Sequence, residues 1–218
     1  MHVFSAMVKF FQEGGIFMYP IMLVFALGAA IAIERYMYLS LAKRTNRSVW
    51  DKLTPLVQSN NFEQAMALAS RSKAEVGKIM AYGLSRLRMT KRRDDIEIAM
   101  EEGLMEVIPR LEKRTHYLAT FANIATLLGL LGTIIGLIQA FTAVANANPA
   151  DKADLLSASI SVAMNTTAFG LMAAIPLLLM YTVLQTKTTE LVDSMEMATV
   201  KFLNSMTEYR KETARATD

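Results

Sequence analysis

The residues of this chain whose types and spacing could do chemistry are hydroxyls: Thr126 and Thr133 in one apolar stretch, residues 121–145, and Ser159, Thr166 and Thr167 at or within a second, residues 160–184. Neither stretch contains a charged residue. A hydroxyl donates one hydrogen bond, accepts others and does not titrate near neutrality. Such groups can offer oxygens to a passing cation, but they cannot themselves take up and release a proton. The alternatives with covalent chemistry are weak. There is no cysteine to serve as nucleophile or zinc ligand. Neither stretch holds a Ser/His pair, a pair of aspartates or an His-Glu-x-x-His arrangement.

What must position these hydroxyls is a pair of helices, because each stretch is long enough to cross a bilayer at about 1.5 Å per residue. Projected at about 100° per residue, Gly132, Thr133, Gly136, Gly129, Ala140, Thr126 and Ala143 share roughly a third of the first helix, with leucines, isoleucines and Phe141 on the rest. On the second, Ala173, Thr166, Ser159, Gly170, Ala163, Ala174 and Thr167 share a similar arc, into which Leu177 intrudes. Small residues segregate in this way where helices pack closely on one another in lipid. Gly129, Gly132, Gly136, Gly170 and Ala174 are therefore assigned to close packing. Two readings of the hydroxyls follow. In one they bond their own backbone carbonyls and serve packing alone. In the other, repeated in an oligomer, Thr126, Thr133, Ser159, Thr166 and Thr167 line a narrow hydrated passage.

Residues 16–33 form a further apolar run, closed by Glu34 and Arg35, with Tyr36 and Tyr38 at its edge. Its basic residues, Arg35, Lys43, Arg44 and Arg47, follow the run rather than precede it, which argues for a retained span with the N-terminus outside the cytoplasm, not a cleaved signal. The expected order is an all-α membrane protein: a periplasmic amphipathic helix at 1–15, spans at 16–39, 119–145 and 155–185, a cytoplasmic helical domain at 40–118, a periplasmic loop at 146–154, and a cytoplasmic helix at 186–218. Within the polar part, Asn61 and Gln64 resemble a capped helix start, and 76–89 is a second helical candidate. A third helix is expected to run from Asp94 through Pro109 into the second span without a break. Leu191, Met195, Ala198, Phe202 and Met206 keep one helical stripe after the third span.

Composition narrows the function classes. A chain that is 53% hydrophobic and 20% charged suits a membrane protein with a soluble part. Its net charge of +3 is dispersed through mixed-sign segments, so no nucleic acid is expected as partner. The sixteen methionines are scattered, as adaptable apolar filler would be. The carboxylates from Asp94 to Glu106 read as a solvated face, since no histidine sits among them. His116 lies outside the apolar run and reads as an interfacial residue.

Gly129-Leu-Leu-Gly132-Thr133-Ile-Ile-Gly136, followed by Thr166-Thr167-Ala-Phe-Gly170-Leu-Met-Ala173-Ala174, resembles the paired signature of the MotA/TolQ/ExbB proton-channel family. The three-span layout extends that resemblance over nearly the whole chain and is closest to ExbB/TolQ-like members. The resemblance implies that Thr133 and Thr167 line an ion path. It further implies a homo-oligomer, a pentamer, in the bacterial inner membrane, around a dimer of a single-span ExbD/TolR/MotB-like protein whose membrane aspartate sits inside the ring. The ion would be a proton, with sodium as the alternative, and no cofactor is implied. The family's usual glutamate five residues before the third-span threonine is here Val162. A flagellar-stator-like subunit and a membrane scaffold without conduction are the other readings.

Overall fold

The protein is described by a computed structural model over residues 14–90 and 92–215, with side chains as far as Glu208. The amphipathic helix expected at 1–15 therefore lies almost wholly outside the described residues. Among the described residues there is no strand, and the chain forms six helices: α1 (Met18–Gln58), α2 (Phe62–Arg71), α3 (Glu75–Leu87), α4 (Arg93–Glu112), α5 (Thr115–Ala145) and α6 (Lys152–Arg215). Three segments are long and apolar enough to cross a membrane, one each in α1, α5 and α6. The contacts divide into two compact units. One holds the chain up to Arg35 together with Arg114–Val183, and the other holds Tyr36–Lys113 and Leu184 onward.

In the first unit, helices approach through what their side chains lack. A Cβ added to Gly129 would lie 3.3 Å from the Gly170 Cα, and one added to Gly136 would lie 2.9 Å from the Ala163 Cβ. Ala122, Ala125, Ala140, Ala163, Ala173 and Ala174 are buried with them, while Leu127, Ile134, Ile138, Phe141, Met164 and Leu179 are exposed. Bulky side chains on the outer face suit a hydrocarbon solvent, where helix association depends on close contact. Leu177, which interrupts the small-residue stripe in sequence, is accommodated on α1: a Cβ on Gly28 would lie 2.7 Å from its Cδ2.

The second unit is built in the opposite way. Phe202, Leu53, Ile79, Met80, Ile96, Met100 and Leu111 are fully buried. The stripe Leu191, Met195, Ala198, Phe202 and Met206 is buried along its length. Asn61 caps α2, its Oδ1 accepting from the Gln64 amide at 3.3 Å, and Asn46 does the same service for α3, accepting from the Val76 amide at 3.0 Å. Lys43 Nζ donates to Glu190 Oε2 at 2.7 Å on the exposed rim.

Two expectations about helix ends are corrected. The helix from Asp94 does not run unbroken into the second span: it passes through Pro109 and stops at Glu112, and α5 begins after a turn at Lys113 and Arg114. Arg114 adopts left-handed backbone angles, φ 65°, and its guanidinium lies 3.6 Å from Glu34. A left-handed non-glycine residue costs about 1–2 kcal/mol, and neither glycine nor asparagine marks the spot in sequence. The stretch expected as loop to residue 154 is already helical from Lys152, with Asp154 in the first turn, where a carboxylate favours the positive end of the helix.

Candidate functional site

Thr133 on α5 and Thr167 on α6 are brought together, their hydroxyl oxygens in direct contact. The Thr133 hydroxyl also faces the carbonyl of Gly129 at 3.2 Å and that of Ala163 at 3.3 Å. The Thr167 hydroxyl donates to the same Gly129 carbonyl at 3.0 Å. Two hydroxyl protons thus serve four contacts among four neutral oxygens, so two of these contacts at a time are unprotonated and open to another donor or a cation. Both threonines are only partly buried.

The cluster exists because glycine stands where it does. Gly129 lets the Thr167 Cα approach to 3.3 Å from where a Cβ would be, and a Cβ on Gly170 would lie 2.7 Å from the Ala125 carbonyl oxygen. Any larger residue at 170 would push the helices apart and separate the two hydroxyls. Ala174, one turn further along, is buried on the same helix.

Thr166 does something different from its neighbour. It is 2% exposed, and its hydroxyl meets the carbonyl of Gly14 at 2.6 Å and that of Val162 at 3.0 Å. Its methyl fills the space over Gly132, where a Cβ would lie 2.4 Å from Thr166 Cγ2 and 3.3 Å from Phe17 Cβ. Val162 lies against Gly15, whose φ of +75° suits glycine. Thr126 is exposed and bonds its own helix, donating to the Ala122 carbonyl at 3.1 Å. Ser159 is half-buried, two turns from Thr166 toward the loop. The structure therefore joins Thr133 with Thr167 and sets Thr166 against the N-terminal segment, with Thr126 and Ser159 apart from both.

Sequence reasoning missed Gly14, Gly15 and Phe17. The signal present was the glycine pair just before the first span. His116 is exposed, its ring 6.2 Å from that of Tyr181. Among the described residues no group of three His, Cys, Asp or Glu side chains is placed to hold a metal ion.

An ExbB homolog of Methanothermobacter thermautotrophicus is 26% identical over 196 residues, covering 89% of this chain and 68% of that protein. An ExbB-like protein of Synechocystis is 30% identical over 84% of this chain and 72% of its own length. The Tol-Pal system protein TolQ of Haemophilus influenzae is 37% identical over 83 residues, which is 38% of this chain and 36% of that protein. The model of the MotA/TolQ/ExbB proton channel family matches residues 71–197. With its three apolar helices and the paired glycine-threonine faces between them, the chain belongs to the MotA/TolQ/ExbB proton channel family.

Proposed function

We propose that this protein is the ion-conducting subunit of a motor in the bacterial inner membrane, turning an ion-motive force into mechanical work on a single-span partner of the ExbD/TolR type. Copies of the chain, five in this reading, surround a dimer of that partner. The contact between the Thr133 and Thr167 hydroxyls, on two apolar stretches that contain no charged residue, is the observation that carries it. A proton relay through lipid normally needs an ionisable group in the interior. Here the two stretches that carry the threonines offer only neutral oxygens, so the acid comes from the partner, as a membrane carboxyl that takes up and releases the ion beside the threonine pair. Each change of its charge changes its preferred contacts with the ring, and the partner shifts or turns. The work is delivered to a cell-envelope or transport process.

Two observations favour neighbouring readings. The four clustered oxygens, Thr133 Oγ1, Thr167 Oγ1 and the carbonyls of Gly129 and Ala163, are the kind of ligand a sodium ion prefers. The bonds of Thr126 and Thr133 to their own helix are what a non-conducting scaffold would also make. One experiment separates all three: ion flux into liposomes holding the chain and its single-span partner, under separate proton and sodium gradients. Replacing both Thr133 and Thr167 by valine keeps the shape and removes the hydroxyls. Flux of the driving ion should fall about tenfold or more, the weight of a lost hydrogen bond or two. Absence of flux in the wild type establishes the scaffold reading, unchanged flux in the double variant removes the threonine pair from the ion path, and dependence on sodium alone replaces the proton.

A further inference from the structure

The faces that join α5 to α6 are smooth. Gly129 meets Gly170 and Gly136 meets Ala163, contacts that permit close approach yet interlock little, so a small rotation of α6 about its axis would meet few steric barriers. Thr167 touches Thr133 at only one setting of that rotation. Something must hold α6 there, and Thr166 is placed to do so. It is the next residue along the helix, about 100° round from Thr167, and it is buried where Thr167 is partly open.

Its partner is a backbone group with no helix to serve. The carbonyl of Gly14 precedes α1, and the Met18 amide that would otherwise reach it bonds Gly15 instead, at 3.3 Å. Gly14 is buried. A buried carbonyl without a donor is strongly disfavoured, so the Thr166 hydroxyl satisfies it at 2.6 Å. The methyl of the same residue is seated over Gly132, between α5 and Phe17. One side chain therefore holds α6 by a directional bond on one side and by a shape contact on the other.

We infer that Thr166 is a positioning residue, tied to the Gly14 carbonyl, which sets the rotation of the third span and so holds Thr167 against Thr133. The inference rests on the proposed role of that pair for its functional meaning, while the geometry can be tested without any ion flow. Because the chain contains no cysteine, cysteines at 133 and 167 report on a single pair. Hydroxyls in contact mark positions within disulfide reach, so T133C/T167C should cross-link rapidly under mild oxidation in the full-length protein.

Adding T166V, which keeps bulk and removes the donor, should slow that cross-linking about tenfold, in keeping with the loss of one buried hydrogen bond. T166S, which restores the donor, should bring it back to within about twofold. T166A removes the donor without bulk and gives the same reading if the valine variant fails to assemble. In the native-threonine background with the single-span partner, T166V should lower ion flux and T166S should retain it. An unchanged cross-linking rate in both T166V and T166A overturns the inference, even where flux falls, because Thr166 would then act on the ion directly. Slowed cross-linking supports it even if wild-type liposomes carry no ion at all, an outcome that would sink the proposed function alone.

Discussion

Gly129 and Phe202 stand for two ways of burying a helix face within one chain. Around Gly129 the first unit closes by bringing backbones together, and the side chains that matter are hydroxyls bonded to carbonyls of their own or a neighbouring helix. Around Phe202 the second unit closes by filling space with large apolar side chains, while its charged groups meet at the rim. The difference follows from solvent. Water drives apolar side chains together in proportion to the area they hide. Lipid does not distinguish a leucine in a helix interface from one outside it, so contact distance and hydrogen bonds decide. The two units should therefore respond with opposite signs to a change in side-chain size.

The largest effect belongs to the second unit. Phe202→Ala leaves a void in a full core and should destabilise it by about 3–5 kcal/mol. Trp50, the chain's one tryptophan, lines a cleft of about 360 Å³ together with Phe202, so its fluorescence during thermal unfolding reads this unit directly. A shift of less than a degree would break the comparison. In the first unit, adding a methyl should do what removing a ring does in the second. Gly170→Ala forces a Cβ to 2.7 Å from the Ala125 carbonyl oxygen and 3.0 Å from the Gly129 Cα. Overpacking of this kind costs about 1–3 kcal/mol. The protein should lose its monodisperse state in detergent at lower temperature while the Trp50 transition stays where it was. Movement of both together would show that the two units do not unfold separately.

The smallest effect sharpens the contrast in charge. The hydrogen bond from Lys43 holds the Glu190 carboxyl below its ordinary value of 4.5. A group depressed in the folded state contributes stability above its unfolded pKa and loses it as pH falls through the folded one. Stability of the second unit should accordingly decline more steeply below about pH 4.5 in the wild type than in Glu190→Gln, as followed by Trp50. Both partners are exposed, so the difference is slight.

Much of this was legible from residue order. Period and length marked the three apolar helices, the buried stripe from Leu191 to Met206 and the cap at Asn61, because each depends on residues close in sequence. The small faces carrying Thr133 and Thr167 were legible for the same reason. The turn at Arg114 was not, since nothing local announces a left-handed arginine and its partner Glu34 lies far back in the chain. Thr166 was grouped with Thr167 because periodicity places neighbouring residues on one broad face and cannot divide it.

By itself the amino-acid order determined that hydroxyls would stand on narrow, uncharged faces of membrane-length helices, since helical geometry turns spacing into direction. Only the tertiary structure decided which hydroxyls meet. Thr133 finds Thr167, and Thr166 finds Gly14, through contacts between segments remote in sequence, where the missing side chains of Gly129, Gly132 and Gly170 let one backbone reach another.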